Sequence, residues 1–202
     1  MPRGVAIPEL RENLFAATER LLLRDGPGVL SSRAITTEAG CAKGVLHNHF
    51  TDLDGFLAEF AVEHFHRALA GMAQLQDTAG QATVAQNLEV AANTLLASSV
   101  LAVHSVISLR PSLAERLREV RGHRSPTLGD LEKVFAAYLE EEKKLGRIVP
   151  RADSAATALA LVATIHRILM TSQGNSTQAR SSLASVLDVL LQAITLHEDA
   201  PS

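Results

Sequence analysis

Apolar positions recur along this chain with a helical period almost from end to end. Leu10, Leu14, Ala17 and Leu21 fall at i, i+4, i+7 and i+11. They predict one buried face of a helix that starts after Pro8 and stops at Asp25-Gly26, where glycine admits a left-handed cap. Pro27 and Gly28 break the chain, and Ser31 or Ser32 can cap a short second helix through Arg33, Ile35 and Glu38 to Ala39. After a tight turn at Gly40-Cys41, a third short helix is predicted over Ala42 to His49. Thr51, with Asp54 three residues later, reads as the cap of a fourth helix running through Phe56, Leu57, Phe60, His64, Phe65 and Met72 towards Gly80.

The rest keeps the same period. Residues 81–109 predict one long helix or two, and Pro111 starts a short one ending at Gly122. Pro126 to Leu145 is amphipathic, with Leu128, Leu131, Val134, Phe135, Tyr138 and Leu139 inward and "EEEKK" outward. "GRIVPRAD" is a connection, Asp153 or Ser154 caps a helix reaching Ser172, and "QGNS" precedes a last helix from about Thr177 to Leu196. The expected fold class is all-α: an N-terminal three-helix helix-turn-helix domain, 1–52, and a C-terminal helical ligand-binding and dimerisation domain, 53–202.

Composition narrows the function. Apolar residues make up 47% of the 202 and aromatics only 3%, so Leu, Ala and Val must fill the core. A net charge of −3 gives no global nucleic-acid signature, and any basic patch must be local. Cys41 is the one cysteine and cannot form an internal disulfide; a reducing, cytoplasmic setting is expected. The charge-free run Val90 to Leu109 is long enough to span a bilayer, but Asn93, Thr94, four serines and His104 favour a helix inside a bundle, with no membrane partner. Near the N-terminus, Glu9, Arg11 and Glu12 stand where a signal peptide needs its apolar segment.

Two short helices about a glycine turn make the helix-turn-helix pattern, in which the second helix enters the major groove. Ser31 and Ser32 at the start of helix two offer hydroxyls and amides to phosphate, and Arg33 adds a charge. On helix three Lys43 can reach phosphate or a base edge, and Gly44 lets the backbone approach closely. Val45 can meet a thymine methyl, and Asn48 can bind adenine in bidentate fashion. His47 and His49 can add charge as the pH falls, so affinity for DNA is expected to rise between pH 8 and 6.

Residues 14–60, "LFAATERLLLRDGPGVLSSRAITTEAGCAKGVLHNHFTDLDGFLAEF", resemble the N-terminal domain of the TetR family of transcriptional regulators. "RAI", "AG", "KGVLHNHF" and the acidic-apolar opening of helix four carry the likeness. It implies a homodimer on a palindromic double-stranded operator, a cavity for a small-molecule effector in the C-terminal helices, and release of DNA when the effector binds. By position it implies phosphate contacts for Ser31, Lys43 and His47, a phosphate or base contact for Arg33, and base-facing places for Gly44 and Val45. His47 stands where that family usually has tyrosine, Ala42 where it has a polar residue, and Leu53 where lysine is frequent. Over residues 1–50 six Arg and Lys face five Asp and Glu, which predicts only three or four phosphate contacts per subunit.

Other readings are weaker. His47-x-His49 and His64-x-His66 diverge by about 200° on a helix and cannot chelate one ion. No metal, cofactor or catalytic constellation is expected, so the protein is read as no enzyme. Cys41 reads as a small packing residue. The effector-pocket candidates, on face and position, are Phe60, His64, Met72, His104, Arg110, Tyr138 and Met170. The final two helices are apolar over more than one face, which points to a subunit interface at Ala155, Leu159, Leu183, Val186, Leu187, Leu190, Leu191 and Ile194. The competing class is a helical sensing or interaction module that does not bind DNA.

Overall fold

The computed structural model describes residues 7–121, 127–171 and 176–195, and these form helices joined by short turns. Gly122, Pro126, Ser172 to Asn175 and Leu196, named above as helix ends or breaks, lie outside the described residues. The described helices are α1 (Ile7–Asp25), α2 (Ser32–Glu38), α3 (Val45–His49), α4 (Leu53–Met72), α5 (Val84–Ala97), α6 (Val100–Leu109), α7 (Pro111–Arg121), α8 (Leu128–Lys144), α9 (Ser154–Thr171) and α10 (Ser176–Gln192). Among the described residues there is no strand, only an isolated bridge between Ile148 and Thr195. The all-α expectation holds.

The chain divides into two compact units, Met1–His64 with Ala102–Ser125, and Phe65–Leu101 with Pro126–Ser202. This differs from the division expected after residue 52. The first unit keeps the front of α4 because Phe15 of α1 packs edge-on against Phe56 and Phe60, with centroids 5.4 and 5.5 Å away, and Phe50 meets Phe56 at 4.8 Å. It also takes in α7 and nearly all of α6, whose Arg110 elbow is bonded to α4. In the second unit α8 and α9 pair, and α10 lies on α5 and α9.

Several boundaries follow from local chemistry that the periodicity alone did not resolve. Helix α3 begins at Val45, not Ala42: the Val45 amide closes a turn on the Ala42 carbonyl at 3.0 Å, and Gly44 is a poor helix former. Asp52 rather than Thr51 caps α4, its Oδ1 accepting from the Gly55 amide at 2.6 Å. Helix α4 stops at Met72 and is followed by a single 3-10 turn at Gln76–Thr78. Residues 81–109 form two helices, with the break at Ser98-Ser99. Glu142 belongs to "EEEKK" but is fully buried, a correction to its outward placement. It accepts from the Tyr138 hydroxyl at 2.6 Å and pairs with Arg147 at 3.2 Å, and Tyr138 also takes a hydrogen bond from Asn87 at 3.0 Å. Burial of the hydroxyl, then its bond to Glu142, pushes the Tyr138 pKa well up.

Candidate nucleic-acid interface

The helix-turn-helix is built by the sequence between Ser31 and Phe50. Ser31, extended at φ −142°, caps α2 by accepting from the Ala34 amide at 3.2 Å. At the other end Gly40, at φ +66°, makes the left-handed residue of a Schellman stop. The Cys41 amide returns to the Thr36 carbonyl at 2.8 Å, and the Gly40 amide to that of Thr37 at 3.1 Å. Asn13 of α1 donates to the Ala39 carbonyl at 2.9 Å, and the half-buried Cys41 thiol donates to the same oxygen at 3.5 Å. Ile35, Thr36 and Leu46 are buried beneath and anchor both helices.

What remains outward is polar. Ser31, Arg33, Ala42, Lys43, Gly44, His47, Asn48 and His49 are exposed, while Ser32 and Val45 are half-buried. These ten are the residues singled out in the sequence, and they occupy α2 and its cap, α3 and the turn before α3. Lys43 and Gly44 sit in that turn rather than in the first helical turn. Thr37, exposed and one turn beyond Arg33, joins this face and had no sequence signal of its own.

Electrostatics thin the footprint further. Arg20 and Arg24 of α1 both bind Glu38, at 3.0 and 3.1 Å, and Arg11 pairs with Glu59 at 3.4 Å. The Arg20 and Arg24 hydrogen bonds hold the Glu38 carboxyl below its ordinary range. Among the described residues of 1–50, Arg33 and Lys43 are the cations that no acidic side chain neutralises.

The effector-pocket candidates do not line one described cleft. Phe60, His64, His104 and Arg110 belong to the first unit, and Met72, Tyr138 and Met170 to the second. Phe60 and Met72 are core residues, Met170 is exposed, and the His64 ring meets that of Phe60 tilted by 60°, with centroids 4.3 Å apart. Arg110 is taken up by Asp54 at 3.0 Å and by the Leu30 carbonyl at 2.8 Å, and Tyr138 by Glu142 and Asn87. The second unit instead has a cleft of about 840 Å³ that none of the seven lines. Val84, Ala85, Leu187 and Leu191 line its apolar part, and Thr83, Glu89, Arg147 and Asp188 are among its polar residues.

The proposed interface residues also divide. Leu183, Leu187 and Leu191 of α10, which packs on α5 and α9, and Ile194 just beyond that helix are buried within their own chain, which corrects their placement at a subunit surface. Ala155 and Leu159 are exposed, and Val186 and Leu190 are half-buried.

Comparison with solved structures decides the fold. A TetR-family transcriptional regulator from Agrobacterium tumefaciens superposes with a TM-score of 0.73, over 94% of this chain and 99% of that one, at 21% identity. The chain has the TetR-family fold. The ketosteroid transcriptional regulator KstR2 of Mycobacterium tuberculosis shares that fold at a TM-score of 0.68, covering 96% of this chain and 98% of that one at 16% identity. So does SmeT, the repressor of the Stenotrophomonas maltophilia multidrug efflux pump SmeDEF, at 0.59, over 93% and 91% of the two chains with 20% identity. In sequence, an uncharacterised HTH-type transcriptional regulator of Haemophilus influenzae is 36% identical over 62 residues, 31% of this chain. The match spans about a third of that relative's length (33%). No sequence-family model matches.

Proposed function

We propose that this TetR-fold chain is a cytoplasmic, ligand-responsive transcriptional repressor that binds a palindromic operator as a homodimer. The observation that carries this reading is the outward polar band of α2 and α3, with Arg33 and Lys43 unneutralised above a buried Ile35–Leu46 base. Arg33, Lys43 and the Ser31 and Ser32 hydroxyls meet phosphate, while Val45 and Asn48 face base edges. Two fixed cations per protomer give four per dimer, and a slope of log K against log salt of about −4. The test is binding to a palindrome upstream of the gene at low salt, by the wild type and by Lys43→Ala with His47→Ala. Loss of binding in the double variant supports the reading; a wild type that binds no DNA favours the sensing module without DNA contact.

Dimerisation uses α9 and α10. Only a third of the apolar stretch Ser154–Thr171 is buried by its own chain, with Leu159 54% exposed, and Val189 of α10 is 67% exposed. Such a surface needs cover, and Ala155, Ala156 and Ala163 beside Leu159 permit close helix approach. The effector occupies the second unit. Its cleft has a volume and an apolar wall with a few polar groups that suit a small organic molecule.

A further inference from the structure

Arg110 stands at the elbow between α6 and α7, and its backbone is bonded on both sides. Its amide donates to the Ile107 carbonyl at 3.2 Å, and its carbonyl accepts from the Leu113 amide at 3.0 Å. The guanidinium therefore leaves a fixed point, and it forks. Nη1 donates to Asp54 Oδ1 at 3.0 Å, and Nη2 to the backbone oxygen of Leu30 at 2.8 Å. Leu30 immediately precedes the Ser31 cap of α2, and Asp54 lies in the first turn of α4, just beyond α3. One side chain thus grips both flanks of the segment 31–50 that carries the whole helix-turn-helix.

Neighbouring bonds stiffen the grip. Asp54 Oδ2 accepts from the Ser112 hydroxyl at 2.6 Å, and Arg116 of α7 binds Asp52 Oδ2 at 2.5 Å. The other Asp52 oxygen caps α4 through Gly55, and with Arg116 it holds that carboxyl below its ordinary range. Lone surface ion pairs contribute little. This cluster differs because Arg110 and Asp54 are only 29% and 23% exposed and the arginine is shared between a carboxylate and a backbone carbonyl. A planar fork can serve both acceptors at once, which the single ammonium of lysine cannot do in the same geometry.

We propose that Arg110 is a positioning residue for operator binding. It sets the distance between the two flanks of the helix-turn-helix, and through it the pose of Arg33 and Lys43, without touching DNA itself. The proposal rests on the DNA-binding reading above.

The test combines amide hydrogen exchange of the free full-length protein with operator affinity across a salt series, for wild type, Arg110→Met and Arg110→Lys. In Arg110→Met, exchange at Ala34, Ile35 and Phe56 is expected to speed up about fivefold or more, while Phe135 and Leu139 of α8 stay as in the wild type. Operator affinity falls about tenfold, the equivalent of one charge-assisted hydrogen bond, with the salt slope unchanged. Arg110→Lys keeps the Asp54 side and protects Phe56, but leaves Ala34 and Ile35 fast; general destabilisation would move all three together.

Unchanged exchange in Arg110→Met overturns the proposal. So does a salt slope shallower by about one per protomer, because Arg110 would then be a phosphate contact. If exchange responds as expected but the wild type binds no DNA, the clamp stands as structure, while the DNA-binding reading and the positioning role both fall.

Discussion

At the scale of single residues, Gly44 separates fold from function. Its backbone is ordinary right-handed, at φ −80° and ψ −9°, and a Cβ placed there meets nothing within 4 Å. Gly44→Ala should therefore leave thermal stability unchanged or slightly raised, by about 0.5 kcal/mol or less. If the backbone lies against DNA, the same methyl group weakens operator binding; calorimetry and a binding titration on one preparation check both halves. His47, Asn48 and His49 are exposed on α3. The residue types on the α2–α3 face were legible in the sequence. The ion pairs around it were not: Glu38 meets Arg20 from 18 positions away, and Arg110 reaches Asp54 across 56.

Helices and turns were mostly legible, because capping is local chemistry. Gly40 shows the opposite logic to Gly44. Its φ of +66° disfavours any side chain although space around it is open, so Gly40→Ala should destabilise the first unit by about 1 kcal/mol, and Gly40→Asn by less. Denaturant melts of the three proteins measure this directly. Asp130 opens α8 by accepting from the Thr127 amide and hydroxyl at 2.7 and 2.8 Å, and it pairs with Lys133 at 2.8 Å. The Lys133 bond, then the Thr127 hydroxyl, hold its carboxyl down at about 2, against 3.8 ordinarily. Because the folded value is depressed, its stabilisation is complete above pH 4 and lost as the pH falls towards 2. With Lys133 highly exposed and screened, the contribution is about 1 kcal/mol, so Asp130→Ala should lower the melting temperature by about 2–4 °C at pH 7 and by almost nothing at pH 2. What periodicity misread was Glu142. Three glutamates before two lysines look like a solvated face, but the middle of the buried network is set by Asn87 and Gly80, far away in the chain.

For the whole molecule, the all-α class and the helix-turn-helix were legible because period and turn chemistry agree over the first fifty residues. Which apolar face of α10 meets its own chain was not legible. Leucines cover more than one side of that helix, and only packing against α5 and α9 shows that Leu183, Leu187 and Leu191 are consumed internally. Leu159 and Val189 stay exposed, and they are the residues that the proposed dimer would cover. Leu159→Glu with Val189→Glu should shift the protein from dimer to monomer in sedimentation without altering its helical signal, and should weaken operator binding because a single head engages one half-site. The proposed operator binding through Arg33 and Lys43 is read in its salt dependence. The wild-type dimer should bind a palindrome with a slope near −4, falling to about −2 in Lys43→Ala as each protomer loses one phosphate contact. A wild-type slope near zero, or one that Lys43→Ala leaves untouched, would contradict it.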